Sequence, residues 1–197
     1  MKIIGLTGGI ASGKSTVSAY LHSKGIPIFD ADAVSHEAEA KGSVCLPKIV
    51  EIFGPQSLTP SGELDRKWVG QEAFTNPSKL AALNNIVHSY CDQARKVFIS
   101  QNNQEKIVVL DVPLLIECNW HKKVDEVWLV AVDKETQIKR AMVRSGLSRA
   151  EVVSRINNQM SLEEKKKYAE VIIDNSGGLN ELYAQVDAAL YRFEIES

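Results

Sequence analysis

The chain has 197 residues, of which 44% are hydrophobic and 24% are charged, and its formal net charge is −2. That length fits one domain, or one core with an insertion, and the near-neutral charge argues against binding nucleic acid mainly through electrostatics. No stretch approaches the roughly 18 apolar residues that span a membrane, and three separated cysteines predict reduced thiols in the cytoplasm rather than disulfides.

The first predicted elements are a strand, a glycine-rich loop and a helix. Lys2 to Leu6 is a short apolar run, as expected of a buried parallel strand. A helix is predicted from Lys14 to Ser23, with Gly25 placed to end it. A second apolar run, Ile26 to Phe29, stops at Asp30-Ala31-Asp32. This order predicts one βαβ unit.

The stretch from Ala33 to about Asn103 carries helical patterns and turns but no buried strand. Asn76 or Ser78 is predicted to cap a long helix whose apolar residues run from Leu80 to Cys91. We therefore expect a helical insertion between two core strands.

Short strands rich in β-branched residues resume after the insertion. They are predicted at Ile107–Asp111, Val124–Val132 and Val171–Ile173. A charged helical region lies between Lys134 and Tyr168, and a closing helix holds the apolar residues from Leu179 to Leu190.

The loop between the first strand and the first helix matches G-x-x-x-x-G-K-[ST] from Gly8 to Ser15. Gly8 and Gly13 permit backbone angles that turn N–H groups inward, where they and the helix N-terminus hold phosphate. Lys14 is predicted to reach the β and γ phosphates, and the Ser15 hydroxyl to ligate Mg²⁺. A turn that only caps a helix is the alternative, but it would fix fewer positions. The residues predicted to bind ATP here are Gly8, Gly9, Ile10, Ala11, Ser12, Gly13, Lys14, Ser15 and Thr16.

Two aspartates follow predicted strands, at the edge where open α/β sheets bind ligands. Asp32 is predicted to accept a proton from an attacking hydroxyl, and helix capping is the alternative for the Asp30-Ala31-Asp32 segment. Asp111 is predicted to hold Mg²⁺ directly or through water, and a turn-forming aspartate before proline is the alternative.

Arg140 and Arg144 stand four residues apart, on one face of a predicted helix. Two guanidinium groups on one face are suited to clamp transferring phosphates as part of a mobile lid, and a solvated basic face is the alternative. The Asn-Lys-x-Asp sequence with which a GTPase reads guanine does not occur.

Several different short motifs are spread along nearly the whole chain. They are Ile4–Thr16, Asp30–Asp32, Gly62–Arg66, Leu83–His88, Asp111–Leu115 with Glu117, Arg155-Ile156 with Gln159, and Asp174-Asn175 with Gly177. Each is weak alone, but their order and spacing are specific, and together they resemble the dephospho-CoA kinase family. Two positions depart from the family pattern. Ser89 replaces a usual proline, which bears on a helix start in the substrate region, and Glu170 conservatively replaces an aspartate.

The resemblance implies a three-layer P-loop NTPase fold of the α/β class, with a five-stranded parallel sheet similar to that of nucleoside monophosphate kinases. It implies a single kinase unit with a core (about 1–32, 104–133 and 169–197), a helical insertion for the CoA-like substrate (about 33–103) and a lid (about 134–168). We expect a monomer or a weak homo-oligomer, with no membrane or nucleic-acid partner.

The resemblance also implies the reaction, transfer of the ATP γ-phosphoryl group to the ribose 3′-hydroxyl of dephospho-CoA. Asp32, Lys14, Arg140 and Arg144 are the expected catalytic residues. Arg66 and His88, with Asp32, are candidates for contacting the substrate. Asn175 is a candidate for contacting the adenine of ATP, while Arg155 and Gln159 are expected to hold the lid together. Another small-molecule kinase, or an inactive ATP-binding regulatory protein, is the alternative function.

Overall fold

The computed structural model describes residues 1–195, with side chains described up to residue 193. The chain divides into two compact units: residues 1–29 with the chain from residue 102 onward, and Asp30–Gln101. Among the described residues, no helix has the length and apolar character needed to cross a membrane. Cys45 and Cys91, both buried, are free thiols, as the sequence predicts.

The first unit is built on a five-stranded parallel sheet of order β2-β3-β1-β4-β5. The strands are β1 (Lys2–Gly8), β2 (Ile28–Asp30), β3 (Ile107–Asp111), β4 (Glu126–Ala131) and β5 (Val171–Asp174). The predicted α/β fold and its five parallel strands are confirmed. The predicted ends of every strand except β3 were off by one or two residues, because strand ends depend on pairing partners elsewhere in the chain.

Both faces of the sheet are covered, which explains why its strands are apolar throughout rather than alternating. On one face, Ile4 and Leu6 pack with Val17 of α1 (Lys14–Ser23) and Val186 of α9 (Leu179–Ile195). On the other face, the chain after β3 lies so close that a Cβ added at Gly5 would meet the Leu115 side chain at 2.7 Å.

The charged region after β4 folds as three short helices, α6 (Lys134–Ser145), α7 (Arg149–Asn157) and α8 (Leu162–Lys166). Each starts at a side chain that accepts a hydrogen bond from the first turn, namely Asp133, Ser148 and Ser161. A small apolar cluster joins α6 to α7 and includes the phosphate-loop residues Ile10 and Ala11.

The second unit is helical, as the sequence predicts for this stretch. Its helices are α2 (Ala31–Ala38), α3 (Leu46–Phe53), α4 (Arg66–Thr75) and α5 (Pro77–Gln101), packed around Ile49, Phe53 and Val69. Asn76 caps α5, because its Oδ1 accepts from Lys79 N at 3.2 Å. α5 runs through Ser89 without a break, so no helix starts at that position, and the effect of the departure from proline stays a prediction.

Candidate active site

The phosphate loop joins the carboxyl end of β1 to the first turn of α1. Ser12 N donates to Gly9 O at 3.1 Å, which closes the loop into a tight turn. Two loop residues have positive φ, Ala11 at 55° and Gly13 at 95°. Successive N–H groups in such conformations form a concavity that binds anions.

Gly13 is required for two reasons. Its left-handed backbone disfavours any side chain, and an added Cβ would overlap Nδ2 of Asn175. Beside it, the Ser12 hydroxyl is buried without a hydrogen-bond partner among the described residues, so a polar group of this loop still has bonding capacity. Both features are those of a backbone shaped to receive a polar ligand.

The first turn of α1 supplies the charged part of the loop. The first N–H groups of a helix lack intrahelical acceptors, and the helix dipole favours an anion in front of them. Lys14, Ser15 and Thr16 occupy this turn, and the Ser15 side chain is exposed, so its hydroxyl is accessible to a ligand.

Asp111, the last residue of β3, forms an ion pair with the Lys14 ammonium. The carboxylate is only 7% exposed and Lys14 only 18%, so both charges are held at one place beside the loop. A hydroxyl and a carboxylate are oxygen donors of the kind Mg²⁺ takes, and Mg²⁺ normally completes its shell with water and substrate phosphates. The donor set of Ser15 and Asp111 therefore fits that ion. The described part of the chain contains no cluster of three or more His, Cys, Asp or Glu residues that could hold a metal by protein ligands alone.

Two elements from outside the loop reach its backbone. Gln137 of α6 donates from Nε2 to Ile10 O at 3.1 Å, and Asn175, just after β5, donates from Nδ2 to Ser12 O at 2.7 Å. Arg140 in turn donates to Asn175 O at 3.1 Å. The structure thus brings Lys14, Asp111, Arg140 and Asn175 together around the loop, and their predicted roles toward ATP stay predictions.

Gln137 is the site residue that the sequence motifs missed. Its position three residues before Arg140 places both side chains on one helix face, and this spacing is the signal that could have identified it. By contrast, Arg144 in the last turn of α6 is exposed. Its predicted role as a phosphate clamp stays a prediction.

Asp32, Arg66 and His88 lie in the second unit. Asp30 acts as the helix cap of α2, accepting from Asp32 N at 2.9 Å and from Ala33 N at 3.0 Å. Capping by Asp30 leaves the Asp32 carboxylate, which is exposed in the first turn of α2, available for another role.

The two basic substrate candidates differ in their surroundings. Arg66 begins α4, where its guanidinium contacts Glu39 at 2.9 Å and the ring and carbonyl of His36 at 3.0 Å. His88 is exposed on α5. Their substrate contacts stay predictions.

A complete phosphate loop, set between the first strand of a parallel sheet and its following helix, defines the chain as an α/β P-loop nucleotide-binding protein. The family model for dephospho-CoA kinase matches residues 2–181. The chain therefore belongs to the dephospho-CoA kinase family.

Relatives and solved structures agree with this membership. A dephospho-CoA kinase of Symbiobacterium thermophilum is 49% identical over 191 residues, covering 96% of this chain and 80% of that protein. The crystal structure of TT1252 from Thermus thermophilus superposes with a TM-score of 0.83 and 36% identity, covering 97% of each chain. A dephospho-CoA kinase from Campylobacter jejuni superposes with a TM-score of 0.72 and 26% identity, covering 96% of this chain and 95% of that one.

Proposed function

We propose that this protein transfers the γ-phosphoryl group of ATP to the ribose 3′-hydroxyl of dephospho-CoA, which yields coenzyme A and ADP. The observation that carries the proposal is a complete phosphate loop, with Lys14 paired to Asp111, in a chain of this family. The names of the curated relatives support the choice of acceptor. We further propose that the protein acts in the cytoplasm.

The loop from Gly8 to Thr16 would bind the phosphates of ATP through its inward N–H groups and the first turn of α1. Lys14 would exchange its Asp111 partner for the β and γ phosphates, because a phosphate offers it more negative charge. Mg²⁺, when bound, would neutralise charge on the same phosphates. Ser15 and Asp111 would hold the ion from the protein side.

Asp32 would orient the 3′-hydroxyl and take its proton. Asp30 already caps α2, so the Asp32 carboxylate is not needed as the cap of that helix. Arg140 and Arg144 would balance charge on the transferring group, which is the main requirement of such reactions. Arg140 would do so from a position fixed by Asn175.

The proposed insertion of about residues 33–103, most of which belongs to the second unit, would hold the CoA-like substrate, with Arg66 and His88 as its polar contacts. The helices of residues 134–168 would form the lid, and the remaining core would carry ATP. We propose that the protein works as a monomer or a weak homo-oligomer.

The test is a coupled assay of ADP release with ATP, Mg²⁺ and dephospho-CoA, with mass spectrometry of the acceptor. Coenzyme A, whose 3′-position is already phosphorylated, is the matched control acceptor, and Lys14→Met is the control protein. We expect release that depends on dephospho-CoA and on Lys14. Equal release with both acceptors, or no release above that of Lys14→Met, would refute the proposal.

A further inference from the structure

The phosphate loop is held from outside by two side-chain amides, and both act on backbone carbonyls. Gln137 binds the carbonyl of Ile10, and Asn175 binds that of Ser12. In a trans peptide the C=O and the following N–H point in opposite directions. If the Ile10 carbonyl points away from the anion-binding concavity of the loop, the N–H of Ala11 must point into it. The Ser12 carbonyl fixes the N–H of Gly13 in the same way.

Gln137 is firmly built into its place. Gln137 is only 7% exposed, and its neighbour Ile138 packs in the apolar cluster that includes Ile10. The side chain of Asp133 accepts from Thr136 N at 3.0 Å and so caps α6. The first turn of α6, which holds Gln137, is thereby fixed.

Gly9 makes room for this contact. A Cβ added to Gly9 would overlap Nε2 of Gln137. The φ of Gly9 lies outside the positive range, so the close approach of the amide, rather than backbone strain, accounts for glycine at this position.

The backbone at Ala11 adds an independent reason for the contact. Its φ of 55° is unfavourable for a residue with a side chain, so the loop would relax if nothing held it. The Gln137–Ile10 bond lies on the peptide that enters this strained residue.

We propose that Gln137 is a positioning residue, which holds the Ile10 carbonyl outward and so presents the Ala11 N–H to a phosphate of ATP. The inference rests on the proposed function only for the identity of that phosphate. Without the bond, the loop also populates a conformation in which the carbonyl points at the phosphate. The apparent dissociation constant for ATP then rises in inverse proportion to the fraction of molecules whose Ala11 N–H faces the phosphate. The loss of one such hydrogen bond should raise it by about two- to tenfold.

The first measurement is the ATP dissociation constant by calorimetry for wild type, Gln137→Met and Gln56→Met. Met keeps the length of the side chain without its donor. Gln56 is a matched control, because its amide also donates to a backbone carbonyl, Phe53 O at 2.9 Å, in the other unit. We expect the two- to tenfold loss only for Gln137→Met. An unchanged constant would overturn the proposal.

A pH series on Gln137→Glu supplies a readout that a purely structural role would not move. A carboxylate at this buried position repels the Ile10 carbonyl, whereas the protonated acid can donate to it, and burial raises the pKa of a carboxyl group. The ratio of the variant's ATP dissociation constant to that of wild type should therefore decrease as the pH is lowered from about 8 to about 5.5. A constant ratio would contradict the proposal, and this result decides the matter if Gln137→Met does not fold.

A double-mutant cycle of Gly9→Ala with Gln137→Met measures whether the two residues are coupled in ATP binding. The added Cβ should displace the Gln137 amide, so Gly9→Ala should weaken ATP binding less in the Gln137→Met background than alone. Additive effects would overturn the proposal. A wild type that binds ATP but transfers nothing to dephospho-CoA would refute the proposed function and leave this inference standing.

Discussion

Lys165 is the most deeply buried charged side chain in the first unit, since only 1% of it is exposed. Its ammonium contacts Glu117 Oε1 at 3.0 Å and donates to Pro113 O at 3.1 Å. Glu117 also accepts from Met160 N at 3.2 Å. The pair thus fastens α8, and the turn before it, to the segment that follows Asp111.

Removing Glu117 should destabilise the protein more than removing Lys165. Glu117→Ala leaves a buried ammonium without its counter-charge, and breaking a buried pair in this way costs about 3–5 kcal/mol. Because Glu117 is 22% exposed, water can reach one side of the pair, and we expect a cost below that range, of about 2–3 kcal/mol. In a chain of this size that lowers Tm by about 4–12 °C.

Lys165→Met should cost less, about 1 kcal/mol, because the remaining carboxylate is partly hydrated and keeps Met160 N. Pro113 O also keeps a donor, the Thr7 hydroxyl at 3.0 Å. The double variant Glu117→Leu with Lys165→Met should be closer to wild type than Glu117→Ala is.

Differential scanning calorimetry of each variant measures these shifts. The adjacent pair of Lys166 and Glu163 is a matched control, with a contact of 2.7 Å but exposures of 37% and 78%. Glu163→Ala should change the free energy of unfolding by less than about 0.5 kcal/mol. If Glu117→Ala and Glu163→Ala lower Tm equally, or if Lys165→Met is the more damaging variant, the reasoning from burial is wrong.

Three further predictions address the site and its supports. Asp32→Asn should lower kcat by about 10²- to 10⁴-fold and leave the ATP dissociation constant unchanged; near-normal turnover would exclude Asp32 as the base. Gly13→Ala should weaken ATP binding by about tenfold or more, measured by calorimetry, because a side chain at φ 95° is strained and would overlap Asn175. The hydrogen bonds from the hydroxyl and N–H of Thr136 lower the pKa of Asp133 below its usual 3.8. The Asp133 carboxylate therefore stabilises the fold above pH 3.8, and this stabilisation is lost as the pH falls through the lowered pKa. Tm of Asp133→Asn should therefore lie below that of wild type at neutral pH and approach it in acid, and a gap that widens in acid would contradict the assignment.

The local signals in the sequence identified most of the elements correctly. The apolar runs predicted the strands, and glycines with Lys14 and Ser15 predicted the loop and the start of α1. These features depend on neighbours along the chain, through backbone angles, capping and side-chain period, so a single sequence contains them. Boundaries at Ile26 and Val124 were less accurate, since strand ends depend on pairing partners elsewhere in the chain.

Long-range contacts could not be predicted in the same way. Nothing local pairs Lys165 with Glu117, which lies 48 residues away, or aims Gln137 at a carbonyl 127 residues away.

The sequence by itself therefore determined the chemistry of the loop, because residue type and spacing set which groups can face a phosphate. Only the tertiary structure decided what holds that loop in shape. The parallel order of the sheet sets β4 beside β1 and β5 beside β4, so α6 and the chain after β5 both begin next to the loop. The Gln137 and Asn175 amides reach its carbonyls for that reason.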